Sequence, residues 1–207
     1  MCAIIIARKV AMRKELKEIL DREFFEKLPN KDVKNNKPCL VCFSGTPKSG
    51  KSHLAKEIER QYQGVNITKD IARKIIFRNE GIKDLKVAEN LLDEYFTGMI
   101  DKLVALPNKL IIWNFSIDRG YRKYQEMANK YRYRLFVISL DTPKDIVIQR
   151  IKTEEDALTA KWFLEQLDRW TEDYQEYNKS GQVDFVIKNK SEEDIVKLFE
   201  KLDQLLA

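Results

Sequence analysis

Residues 39–62, CLVCFSGTPKSGKSHLAKEIERQY, leave this chain few folds to choose from. Cys39 to Ser44 is a short apolar run of the kind that forms a strand buried on both faces. Residues 51–62 carry helix-forming side chains. Between the two stands Gly45-Thr46-Pro47-Lys48-Ser49-Gly50-Lys51-Ser52. A buried strand that enters a helix through a tight glycine turn begins a βαβ unit. Parallel strands then need crossover helices to cover the sheet.

The octet fits G-x-x-x-x-G-K-[ST] in full, in the strand-to-helix setting its mechanism requires. Glycines let several backbone N–H groups turn toward one anion, and the helix N-terminus adds its partial positive charge. Lys51 is placed to bridge β- and γ-phosphates, and the Ser52 hydroxyl to take one Mg²⁺ position. The motif predicts a P-loop with residues 45–52 as nucleotide-binding positions, ATP as nucleotide and Mg²⁺ as metal.

The rest of the chain repeats the alternation. Short apolar runs at 64–68, 109–115, 134–140 and 183–188 read as further strands. Helical patterns fill 51–62, 85–105, 119–131, 158–178 and 192–205, with others beginning near Lys69 and at Pro143. The expectation is an α/β fold, a five-stranded parallel sheet sandwiched by helices. Residues 1–37 form an extra N-terminal helical segment and connector, and 38–207 the main domain.

Composition narrows the alternatives. With 7 glycines and 5 prolines in 207 residues, fibrous and linker-like readings fail. The net charge of +5 is scattered, which fits a solvated surface better than a nucleic-acid footprint. No apolar run is long enough for a signal-peptide core or a membrane span, so a cytoplasmic location is expected. Cys39 and Cys42 lie three apart on a strand and point to opposite faces, so buried reduced thiols are favoured over a redox or zinc pair. Phe163, Leu167, Trp170, Tyr174 and Tyr177 recur at helical spacing, which favours a core-facing stripe over a base-stacking platform.

Other nucleotide-handling classes lack their residues here. The chain contains no D-x-x-G, and each Asn-Lys pair lacks the aspartate two places on, so a GTPase switch is excluded. The strand at 109–115 ends with Asn114 and no acidic pair, which argues against a water-splitting motor. Asp70 and Arg73, just after the strand at 64–68, fall where ligands collect in parallel sheets. A carboxylate there can take the proton of an attacking hydroxyl, and an arginine one turn on can clamp an anionic acceptor. The alternative is that Asp70 caps its helix and Arg73 is solvated.

P-loop, strand and Asp-x-x-Arg in this order resemble the zeta-toxin and polynucleotide 5′-kinase branch of the P-loop kinases, with chloramphenicol phosphotransferase a further relative. The resemblance covers about residues 38–190 and is carried by 45–52 and 66–73. It implies a sheet order of 2-3-1-4-5, Asp70 as general base and Arg73 as an acceptor ligand. It implies a similar acceptor role for Arg119 in NFSIDRGYRKYQ, and a lid arginine at Arg150. The catalytic set is then Lys51, Asp70 and Arg150, and the acceptor set Asp70, Arg73 and Arg119. The chain departs from the pattern at Lys152, followed by TEED where a second lid arginine is usual, and at Asn114, where many relatives carry aspartate. The expected partners are a nucleoside triphosphate and a hydroxyl-bearing acceptor. Nucleic acid is not the favoured acceptor, and the N-terminal helix could offer a face to a protein partner. A nucleotide-binding module without phosphotransfer stays open.

Overall fold

The computed structural model describes residues 14–25, 37–80, 85–105, 110–188 and 191–207; Cys2 and most of the N-terminal segment and its connector lie outside them. The described elements are α1 (Lys14–Phe25), β1 (Cys39–Ser44), α2 (Lys51–Tyr62), β2 (Val65–Ile67), α3 (Lys69–Glu80) and α4 (Leu85–Val104). They continue as β3 (Leu110–Ser116), α5 (Tyr121–Tyr131), β4 (Arg134–Asp141), α6 (Lys144–Glu154), α7 (Ala157–Lys179), β5 (Phe185–Lys188) and α8 (Glu192–Leu206). The strands form one five-stranded sheet, all pairings parallel as the strand–helix alternation predicts, in the order β2-β3-β1-β4-β5 that the resemblance implies.

The chain divides into two compact units: residues 1–28 with 69–105, and 29–68 with 106–207. In the first, α1, α3 and α4 bury Leu16, Leu20, Ala72, Ile76, Leu92, Met99 and Leu103. Polar ties reinforce it: the Tyr95 hydroxyl donates to Asp21 at 3.1 Å, Lys102 reaches the other oxygen of Asp21 at 2.5 Å, and Lys69 pairs with Asp93 at 2.7 Å.

The second unit holds the sheet. All six residues of β1 are buried, because β1 lies at the centre between β3 and β4. Its alternate residues Cys39, Val41 and Phe43 join Leu54 and Ile58 of α2 and Leu198 and Leu202 of α8 in one core. Truncating a fully buried side chain such as Phe43 to alanine would cost about 3–5 kcal/mol. Cys42 is absent from that cluster though wholly buried, which agrees with the opposite facing of the two cysteines. Both thiols are free; burial pushes Cys39 up to about 12 and raises Cys42 as well, so neither is a reactive thiolate.

Gly64 lies ahead of β2, and a Cβ there would sit 2.8 Å from Leu110 Cγ and 3.0 Å from Ile112 Cδ1. The α7 stripe is only partly core: Leu167 and Tyr177 are buried, whereas Phe163, Trp170 and Tyr174 are half-buried. At 23 residues α7 runs about 34 Å. Its aromatic rings pack on one another, with Trp162 and Trp170 edge to face at 5.3 Å. Among the described residues, no helix is long and apolar enough to cross a membrane.

Candidate active site

The loop between β1 and α2 turns on three residues with positive φ: Gly45 at 142°, Lys48 at 61° and Gly50 at 109°. Gly45 is needed for space as well, since a Cβ there would lie 2.9 Å from Ser49 Oγ and 3.2 Å from the Leu140 carbonyl. Gly50 is the N-cap of α2 and supplies no side-chain cap, so no capping side chain covers the amide end of the helix. This is the backbone of an anion-binding loop.

Lys48 is not a glycine, and the left-handed conformation costs it about 1–2 kcal/mol. Side chains from α6 hold it there. Its carbonyl accepts a hydrogen bond from Arg150 Nη1 at 2.8 Å, and its ammonium pairs with Glu154 at 3.2 Å and with Glu155. Burial works to lower the Lys48 pKa, but the bonds to Glu155 and Glu154 outweigh it and the pKa is raised. Just after β4, Thr142 Oγ1 donates to the Ser49 carbonyl at 3.0 Å.

Lys51 begins α2 and folds back over the loop. Its ammonium donates to the carbonyls of Gly45 at 2.8 Å and Thr46 at 2.5 Å, and to Ser49 Oγ at 3.3 Å. Ser52, one residue on, lies 3.4 Å from Asn114 Oδ1 at the carboxyl end of β3. Asn114 is 8% exposed and offers an amide oxygen where a carboxylate would carry charge.

A register shift between Cys42 and Phe43 brings the end of β3 against the loop, with Phe43 opposite Ser116 and Ile117 N donating to the Phe43 carbonyl at 3.0 Å. Asp118 follows. Its Oδ2 accepts from Gly45 N at 3.2 Å and from Ser116 Oγ at 2.6 Å, while its buried Oδ1 has no hydrogen-bond partner. Beside it, Ser44 at the end of β1 stands opposite Ser139 of β4, both fully buried. Ser139 Oγ donates to Asn178 Oδ1 at 2.8 Å, and Asn178 Nδ2 donates to Ser44 Oγ at 3.3 Å. This network fastens α7 to the carboxyl edge of the sheet. A serine inside each of two largely apolar strand runs was its signal in the sequence; Thr142 and Asn178 left none.

The remaining expected residues divide. Arg150 is brought to the phosphate loop by its bond to Lys48. Arg119, expected beside an acceptor, has its Nε paired with Asp173 on α7. Asp70 and Arg73 fall in the first turns of α3, which starts two residues after β2, within the other compact unit. Arg73 is half-buried, and the Asp70 side chain lies outside the described residues. Among the described residues, no group of His, Cys, Asp or Glu is arranged to hold a metal, and His53 is exposed and pairs with Glu57 at 3.1 Å.

Among solved structures, the chain is similar to the PezAT chromosomal toxin–antitoxin system of Streptococcus pneumoniae, at 14% identity over 87% of this chain and 78% of that one, with a TM-score of 0.63. Shikimate kinase from Acinetobacter baumannii matches at 16% identity, 86% and 96% coverage and a TM-score of 0.49. The APS kinase of Mycobacterium tuberculosis matches at 14%, 83% and 99%, and 0.48. No curated protein sequence matches the chain. A family model described as AAA domain matches residues 40–177, a span running from β1 through most of α7. By this match, its phosphate loop and its parallel sheet, the chain belongs to that AAA domain family and has the P-loop NTPase fold.

Proposed function

We propose that this protein is an ATP-dependent kinase that transfers the γ-phosphate to a hydroxyl of a small molecule, a nucleotide sugar or a nucleic-acid 5′ end. The observation that carries the reading is the pairing of cations at one loop: Lys51 from α2 lies over it, and Arg150 from α6 is hydrogen-bonded to it. Holding a nucleotide needs the first. Stabilising a phosphoryl group in flight needs the second. The branch we favour is the zeta-toxin and polynucleotide-kinase one, on the strength of Asp70 and Arg73 following β2 and of Arg150 in α6.

In this reading Lys51 bridges the β- and γ-phosphates and the amides of residues 45–52 bind the phosphate oxygens. Asp70 accepts the proton of the attacking hydroxyl, and Arg73 and Arg119 bind the acceptor. The Ser52 hydroxyl next to Asn114 Oδ1 is a pair of hard oxygen donors, which suits Mg²⁺. When bound, Mg²⁺ would neutralise phosphate charge. The residues toward it are Ser52 directly and Asn114 behind it. A protein partner for the N-terminal helix belongs to the same proposal.

The competing reading is a nucleotide-binding module or degenerate kinase acting through a partner. Asn114 in place of a carboxylate, and Glu154 and Glu155 where a lid arginine is usual, favour it. Incubation of the protein with labelled Mg-ATP and nucleotide sugars, nucleosides, antibiotics or 5′-hydroxyl oligonucleotides decides between the two. Label should move to an acceptor hydroxyl. Retained ATP binding with no transfer to any of them would leave the binding module. With an acceptor in hand, Arg150→Ala should lower kcat about 100-fold and change the Kd for ATP less than about threefold, because its charge counts most in the transition state. Parallel losses in both would mean a ground-state or structural role.

A further inference from the structure

The phosphate loop is tied to the end of α6 at two points. Arg150 Nη1 donates to the Lys48 carbonyl at 2.8 Å, and Lys48 Nζ pairs with Glu154 at 3.2 Å and with Glu155. The Lys48 and Glu155 side chains are only 21% and 22% exposed, so this pair is partly withdrawn from water. Glu154 ends α6, and Glu155 is its C-cap in an extended conformation, with φ −109° and ψ 152°. Successive residues of a continuing helix point about 100° apart. Leaving the helix at Glu155 lets two neighbouring carboxylates reach one ammonium.

We infer that Glu154 and Glu155 act as an internal anion that competes with the nucleotide's phosphates for Lys48, an autoinhibitory latch between α6 and the phosphate loop. A carboxylate on the same chain competes intramolecularly, at an effective concentration that a free nucleotide has to overcome. Tight binding of a triphosphate therefore requires Lys48 to leave the two glutamates. The element released is the one that carries Arg150, so nucleotide capture at Lys48 and the placement of Arg150 are coupled through α6. The inference rests on nucleotide binding at the loop and is independent of phosphotransfer.

The test measures the Kd of the non-hydrolysable analogue Mg-AMPPNP by calorimetry for wild type, Glu154→Gln/Glu155→Gln, Lys48→Ala and the triple variant. Glutamine keeps nearly the same shape and can still hydrogen-bond, while removing the charge. The double variant should bind about tenfold tighter at low salt, a typical coupling between sites. That gain should shrink as salt rises. It should also vanish in the Lys48→Ala background, because the lysine is the shared partner. Unchanged or weaker binding by the double variant overturns the latch. So does an equal gain without Lys48, which would be plain repulsion through space. Binding seen only in the double variant is the latch in its strongest form. If none of the four binds, the inference fails along with nucleotide binding. If binding follows the expected pattern but no phosphate is transferred, only the kinase reading fails.

Discussion

Asp70→Asn should leave ATP binding intact and lower phosphotransfer by about two to four orders of magnitude, the usual contribution of a positioned general base. Asparagine keeps nearly the same shape and can still cap a helix start, but it cannot take a proton. Asp70 is the second residue of α3, three residues after the strand that ends at Ile67, so a purely structural role there would survive the substitution. The measurement is kcat with the acceptor found in the screen, alongside the Kd for ATP. Transfer at the wild-type rate would place the base elsewhere. Asp118 is then next, since its Oδ1 is buried without a partner while its Oδ2 holds Gly45 N and Ser116 Oγ. Asp118→Asn would be measured the same way.

Lys51→Ala should remove most of the stabilisation that Mg-ATP gives the wild type. Ligand at about 100 times its Kd stabilises the folded state by about 2.7 kcal/mol. For a chain of this size that corresponds to a rise in Tm of roughly 5–10 °C. Lys51 delivers a full positive charge to the loop from three hydrogen bonds at 2.8, 2.5 and 3.3 Å, and alanine at the same helical position delivers none. Thermal melts of both proteins with and without Mg-ATP read this directly. An equal rise in the variant would mean the nucleotide binds away from the loop.

Much of this was legible along the chain because it depends on local chemistry. The run Cys39–Ser44 reads as a doubly buried strand because nothing in it is charged, and it is the sheet's central strand. Gly45 and Gly50 read as loop glycines because only glycine adopts their backbone angles cheaply, and both have positive φ. Helix positions follow from apolar spacing, and the observed ends differ from the expected ones by a few residues at most where both are described.

The phosphate loop, the alternation of strands and helices, and the resemblance that pointed to the sheet order are all carried by residues close together in the chain. Which distant side chains meet is set by the folded arrangement of the strands and their connections. Lys48 and Arg150 are 102 positions apart, Gly45 and Asp118 73, and Ser44 and Asn178 134. Parallel pairing sets these meetings, because it gathers the carboxyl ends of β1, β3 and β4 at one edge of the sheet. The pairing of TEED with Lys48 shows the difference most plainly. In the chain it is an acidic departure from an expected arginine; in the fold its glutamates pair with the loop lysine, since α6 leaves its helical path at Glu155 beside the loop. No spacing rule encodes that contact, because it depends on where two separate connections end in space.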